Sequence, residues 1–425
     1  MNRLRHIPRS RRGERGQTLV LVAVSLVTLL GFAALAIDVV TLYVARAETQ
    51  RAADAAAITA AKAFVDSGVT TNPGDTTTQT LAQNLATQTL NALLAQNFVS
   101  GGSPTLAPGS PTFDFTTRPG NPTVTVTLQR TGLPTFFARI WGAGAQSVTA
   151  TAIAEAYNPS NSQTQTGDLV PILPKCIKPL MIANKDPTTG AQLIDPVTGI
   201  VNNPSAVINE DFTLQSLCPI ANCTTGSVPG RSKYIPVAVT GSTGNLCPSC
   251  SSGSGFDESI SCCDVVVYAC GGGSRNARMD VTVSNSSSRT QSALQCLIHA
   301  SGNGMGAGQD QLISGTYPSA PMQITAGSNN PYINGTTVKS GDPISASSSI
   351  ISIPIFDDSA VPPITGTGDV TIIGFLQAFV KDVPGGAIGD LDGTVLNVVG
   401  CGNSTGSSPA VSGGSSPIPV RLIRQ

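Results

Sequence analysis

The chain has 425 residues, of which 40% are apolar and only 12% charged, and its net charge is −1. Charged residues are about half as frequent as in an ordinary globular protein, which excludes a highly charged disordered chain and, with no basic excess, a general nucleic-acid binder. Two histidines, His6 and His299, exclude chemistry that needs several imidazoles.

Taken in chain order, residues 1–16 carry six arginines, among them Arg11, Arg12 and Arg15, against one acid, Glu14. The run Thr18 to Ile37 then has no charge, and Asp38 ends it. At 1.5 Å per residue such a run spans about 30 Å, the thickness of a bilayer core. A transmembrane helix over 17–39 is expected. The positive-inside rule puts the basic tail 1–16 in the cytoplasm. Ala34-Leu35-Ala36 also fits a small-x-small cleavage site, so a cleaved signal peptide is the alternative, although the run exceeds the roughly 7–15 residues of a signal's apolar region. Tyr43 stands where an interfacial aromatic belongs.

The helical pattern continues past the apolar run. No Gly or Pro interrupts from Phe32 to Ser67, and residues 45–65 are rich in alanine, the best helix former. Glu48 with Arg51, and Arg51 with Asp54, have i,i+3 spacing for ion pairs. One helix from about 18 to 66 would be roughly 74 Å long. Its alanine face either covers the chain's own core or docks a partner helix.

Residues 67–76 are turn-rich, and Thr77 to Val99 reads as a second helix ended by Gly101-Gly102. Val124, Val126 and Leu128 alternate with threonines as in a half-buried strand. Phe136 to Trp141 reads as a short helical turn, and Val148 to Ile153 as another strand. Residues 40–157 therefore form an expected α+β unit. A polar linker, 158–168, follows.

All ten cysteines lie beyond it: Cys176, Cys218, Cys223, Cys247, Cys250, Cys262, Cys263, Cys270, Cys296 and Cys401. An even number in an exported chain points to disulfides. Short β-type runs at 234–239, 264–268, 280–283, 350–356, 370–377 and 394–399 make 169–402 a disulfide-bonded, β-rich domain. Residues 403–425 read as a flexible tail. Asp186-Pro-Thr-Thr-Gly and Asp195-Pro-Val-Thr-Gly are two turn signatures. The overall fold class is α+β.

Sites of chemistry are sparse. Cys247-Pro-Ser-Cys250 has the spacing of a thioredoxin-like pair, but no helix follows to lower a thiol pKa, and a zinc ribbon needs a second such pair. Cys296 and His299 have the spacing of a nucleophile–base pair on a helix. The glycine-rich 302–308 lacks the Lys and Ser/Thr of a phosphate loop. Asp357, Asp358, Asp390 and Asp392 lie in turn sequences. No catalytic residue, metal site or cofactor is expected.

The ordered punctuation of residues 14–61 carries a resemblance: Arg15-Gly16-Gln17, Gly31-Phe32-Ala33, Asp38, Tyr43, and Arg46 to Asp54 followed by alanines. This stretch resembles the N-terminal segment of the Flp pilus-assembly TadG-like proteins of bacterial tight-adherence systems. Residues 124–156 are similar to the strand-rich part that follows in those proteins and their pseudopilin relatives, and 351–381 more loosely to a C-terminal region of some of them. The resemblance implies that 40–157 is a pilin-like stalk on a single-pass inner-membrane protein, with its bulk periplasmic or extracellular. It implies a structural component of pilus assembly rather than an enzyme. Its expected partners are membrane lipid and other pilus-assembly proteins through the N-terminal helix, with a homo-oligomer as a candidate assembly and no nucleic acid. An anchored surface adhesin is the alternative, and a thiol–disulfide oxidoreductase a further one. Pilins and pseudopilins are processed after a Gly with Glu five residues beyond. Here Gly16-Gln17 is the candidate processing site, but Leu21 stands at the Glu position. The von Willebrand factor A metal site of some full-length relatives needs Asp-x-Ser-x-Ser; Asp357-Asp358-Ser359-Ala360-Val361 lacks the second Ser.

Overall fold

The computed structural model describes residues 12–117, 121–142, 144–156, 172–173, 176–216, 232–236, 250, 255–262, 277–280, 287–300, 308–333, 335–359, 367–384, 389–401, 411–412, 418 and 420–423. Arg11, the 158–168 linker, the expected strand 264–268 and Cys218, Cys223, Cys247, Cys263 and Cys270 lie outside the described residues. In chain order the elements are α1 (Arg12–Ser67), α2 (Thr76–Gln96), β1 (Thr105–Leu106), β2 (Thr112–Asp114), β3 (Thr123–Leu133) and β4 (Gln146–Ala156), with a 3-10 turn at Ala138–Trp141. Then come β5 (Ile172–Leu173), β6 (Leu180–Ala183), α3 (Pro204–Val207), β7 (Asp211–Ser216), β8 (Lys233–Pro236), α4 (Gly255–Ser261), β9 (Ala277–Asp280) and α5 (Ser287–Leu297). The last are β10 (Gln311–Ile313), β11 (Gln323–Thr325), β12 (Pro343–Ile344), β13 (Ile350–Phe356), β14 (Thr367–Val370), β15 (Ile372–Asp382), β16 (Leu391–Gly400), β17 (Val411–Ser412) and β18 (Val420–Ile423). The chain forms two compact units, one of residues 1–56, 91–111 and 126–152, the other of 57–90, 112–125 and 153–425.

In the first unit, β1 pairs antiparallel with β3 at Thr105–Gln129 and Leu106–Leu128. Ala45, Val99 and Leu133 are buried together, with Leu42 and Val148 against them. Ala52, Ala53 and Ala56 of α1 are buried as well. Two expected ion pairs do not form. Glu48 Oε2 instead accepts the Ser100 N–H at 2.8 Å, and Asp54 accepts the Gln50 amide at 2.8 Å. α2 ends at Gln96 rather than Val99, because Val99 turns back to bond with Gly102.

In the second unit, Ala57, Ala60, Ala61, Ala63 and Phe64 of α1 are buried. Phe64 meets Phe113 and Phe115 edge-on, at centroid distances of 6.1 and 5.4 Å. The alanine face is thus covered by the chain itself and is not free for a partner helix, which corrects one of the two uses expected for it. Small side chains permit that close approach.

Asp114 organises the turn after β2. Its carboxylate accepts the Thr116 and Thr117 N–H groups, each at 3.0 Å. Bonds from the Thr117 side chain and these backbone groups lower its pKa to about 2. A depressed folded pKa contributes stability above the unfolded value and loses it as pH falls. The stability gap between the native chain and Asp114→Ala, measured by denaturant unfolding, is therefore expected to be present at pH 6 and to close between about pH 4 and pH 2.

β6, β7, β8, β13, β15 and β16 close a barrel in the order β13-β15-β16-β7-β8-β6. β13, β15 and β16 are antiparallel neighbours in a meander, with Ile353 opposite Leu376 and Leu376 opposite Val398. Two contacts are parallel, β13 with β6 and β7 with β8. β13, IISIPIF, is buried along nearly its whole length, as expected of a strand covered on both faces. Its isoleucines join Leu180, Phe212, Leu214, Tyr234 and Val395 in one core, over which α4 and α5 lay Phe256, Ile260, Leu294 and Leu297.

The two Asp-Pro-x-Thr-Gly segments are turns. Asp186 Oδ1 accepts the Thr188 and Thr189 N–H groups, and Asp195 Oδ1 those of Val197 and Thr198. The second turn is pressed onto the barrel: a Cβ on Gly400 would run into the Gly199 carbonyl. Of the expected strand 280–283 only Asp280 lies within the described residues, where it is the last residue of β9, Ala277–Asp280. Part of the segment read as a flexible tail is also ordered. Val411–Ser412 pairs with β5, and β18 pairs antiparallel with the end of β4.

Candidate functional site

The strongest candidate is the first half of α1 and the residue that ends its apolar run. Leu19, Val20, Leu21 and Val22, consecutive residues about 100° apart that between them face every side of the helix, are all more than half exposed. A helix apolar on every side belongs in a large core or a bilayer. Its most apolar 18-residue window has a mean hydropathy of 2.7, and none of that window is buried in protein. α1 is therefore long and apolar enough to cross a membrane, and it marks a candidate anchor. The side chains of Arg12, Arg15, Gly16 and Gln17 lie outside the described set.

Asp38, one residue beyond that run, is buried, 3% exposed. Its Oδ1 accepts the Phe136 N–H at 2.8 Å, and its Oδ2 accepts those of Phe137 and Ala138 at 3.0 and 2.6 Å. These amides open the 3-10 turn Ala138–Trp141, whose first N–H groups have no partner within the turn. The turn has no side-chain cap of its own, and Gly142 closes it in the left-handed conformation at φ 84°. Asp38 thus works as a cap supplied from about 100 residues away. Phe136 in this loop and Tyr43 on α1 remain exposed, 60% and 75%. Asp38→Ala is expected to loosen the turn, read as about tenfold faster hydrogen exchange at the 136–138 amides with exchange in the barrel unchanged.

The cysteines give a second feature. Cys250 and Cys296 are bonded to each other, closing 46 residues. Cys176, Cys262 and Cys401 are also disulfide-bonded, and no described cysteine is free. Cys250 is therefore not paired with Cys247, as an oxidised thioredoxin-like Cys-Pro-Ser-Cys would require. Cys296 holds no thiol for His299 to activate. His299 sits at φ 56° after α5, and burial lowers its pKa against the opposing pull of Asp310. These bonds overturn the nucleophile-pair alternative.

The acidic residues singled out in the sequence are held in structural bonds. Asp357 accepts the Ser359 N–H and hydroxyl, and Asp358 pairs with Lys185 at 3.0 Å. Asp390 accepts from Gln215, and Asp392 from Thr213. Among the described residues no cluster of three or more His, Cys, Asp or Glu is placed to hold a metal ion. The second unit contains a cavity of about 970 Å³ lined by Leu85, Met322, Ile324, Ile350 and Leu396 among others. Its ionisable groups are occupied: Lys62 pairs with Asp66 at 2.6 Å, and Lys178 donates to the Cys262 carbonyl at 2.8 Å.

These features define a protein with an N-terminal helix of membrane-spanning character whose later turns are built into folded units, followed by a β-rich, disulfide-bonded region. Residues 16–63 match the family model for putative Flp pilus-assembly TadE/G-like proteins. That segment is TadE/G-like, and it takes in the apolar run, Asp38 and nearly all of the alanine face. The match supports a role related to Flp pilus assembly. No curated protein and no solved structure matches the chain.

Proposed function

We propose that this protein is a membrane-anchored, non-catalytic structural component of a tight-adherence (Flp) pilus assembly system. The observation that carries the reading is the TadE/G-like match over a helix that is apolar on every side and then disappears, alanine by alanine, into the fold. In this reading α1 crosses the inner membrane over 17–39, with the arginine-rich tail 1–16 in the cytoplasm. The units beyond Asp38 stand outside the cytoplasm, where the disulfides are stable. The region 40–157 serves as a pilin-like stalk. Other assembly proteins engage the lipid-embedded part of α1, because the alanine face is occupied within the chain.

The test is a count of surface pili by electron microscopy on cells lacking the protein, together with their adherence to a surface. Loss of pili is the expected result. Normal pili with lost adherence would replace the assembly reading by that of an anchored adhesin. Unchanged pili and adherence would remove both.

A further inference from the structure

We propose that the loop 134–142 is a second membrane contact: its Phe136 edge lies in the headgroup layer of the same bilayer that α1 crosses. This rests on the reading of α1 as a membrane span. The geometry then leaves little freedom. Three hydrogen bonds of 2.6–3.0 Å tie the backbone of Phe136, Phe137 and Ala138 to Asp38. Asp38 follows the last residue of the apolar run. Whatever the tilt of the helix, these amides lie within a few ångströms of the level at which the hydrocarbon ends.

The loop's composition suits that level. Phe136 is 60% exposed although it belongs to a well-bonded turn, and Arg139 beside it is exposed too. On α1, Tyr43 is 75% exposed, little more than one helical turn beyond Asp38. An aromatic residue and a basic one at the boundary fit the interface, the ring among acyl-chain ends and the guanidinium among anionic headgroups. The occupant of this surface is thus lipid, continuous with the lipid around residues 18–37. The burial of Asp38 acquires a purpose: its carboxylate holds a loop at the membrane surface and satisfies amides that would otherwise be desolvated there.

The full-length chain in phosphatidylcholine/phosphatidylglycerol vesicles tests this. Trp141 is the only tryptophan, so Phe136→Trp with Trp141→Phe gives a single reporter at the loop. Phe98→Trp with Trp141→Phe gives a control on an exposed residue of the same unit. The control lies beside Ser100, which bonds Glu48, ten residues or about 15 Å further along α1 than Asp38. Lipids brominated near the headgroup end of the acyl chain are expected to quench the reporter at position 136 at least twofold more than the control at position 98. Adding Asp38→Asn is expected to reduce the quenching at 136. Equal quenching at both positions, or none at 136, overturns the proposal. Carbonate-resistant flotation of the same vesicles reports the span separately. Failure to float sinks the anchor, whereas flotation without quenching sinks only the loop contact.

Discussion

Replacing Cys250 and Cys296 together by serine is expected to lower the stability of the second unit by about 4 kcal/mol, the chain-entropy value for a closed loop of this size. The bond spans 46 residues and ties the segment before α4 to α5. Phe256, Ile260, Leu294 and Leu297 of those two helices belong to the barrel core. Freed from each other, the helices lose their fixed place on that core. The measurement is the denaturant midpoint of the double variant against the native chain, with hydrogen exchange in α5 as the local readout. A change below about 1 kcal/mol would show that the open chain already holds these helices together. The double replacement matters, because one remaining thiol among so many disulfides invites exchange.

Arg421→Ala is expected to cost about 3 kcal/mol. Arg421 on β18 pairs with Glu155 on β4 through two nitrogens, at 2.6 and 2.5 Å. Glu155 is fully buried and the Arg421 side chain about a quarter exposed. Removing the cation leaves a carboxylate uncompensated in a poor solvent, the costly half of breaking a buried pair. The same logic fixes a rescue. Glu155→Gln added to Arg421→Ala is expected to recover at least half of the loss, because a neutral amide is far cheaper to bury than a charge. If the double variant is no more stable than Arg421→Ala alone, the cost lies in lost packing of the arginine stem and not in charge.

Local signals were the legible ones. The helix α1 and the strand Ile350–Phe356 follow from unbroken apolar or alanine-rich runs, which state their own structure. The barrel was not legible, because its closure depends on two parallel contacts between segments of four to seven residues. β6, LMIA, lies between Lys178-Pro179 and Asn184-Lys185, where no run is long enough to declare a strand. β7 did carry a period-two signal, with Phe212 and Leu214 buried and Asp211 and Thr213 exposed, but it is short and follows a turn. Asp38 was legible as the end of the apolar run and not as a cap, because its partners are backbone amides about 100 residues away. A hint lay in the short turn after Leu133-Pro134-Thr135, which begins on phenylalanines and offers no acidic cap of its own.

The pairing of β18 with β4 also sets a timetable. Val420–Ile423 is hydrogen-bonded to Ile153–Ala156, so some 265 residues must follow β4 before its neighbour exists. The barrel shows the same delay, since β6 near residue 180 waits for β13 near 355. Contacts of such separation form late and slowly. During synthesis the open edge of β4 is a template for the wrong strand, and it stays so until Val420–Ile423 has been made. Removal of β18 would therefore leave a permanently unpaired edge, and with it a chain prone to join its neighbours in the wrong register.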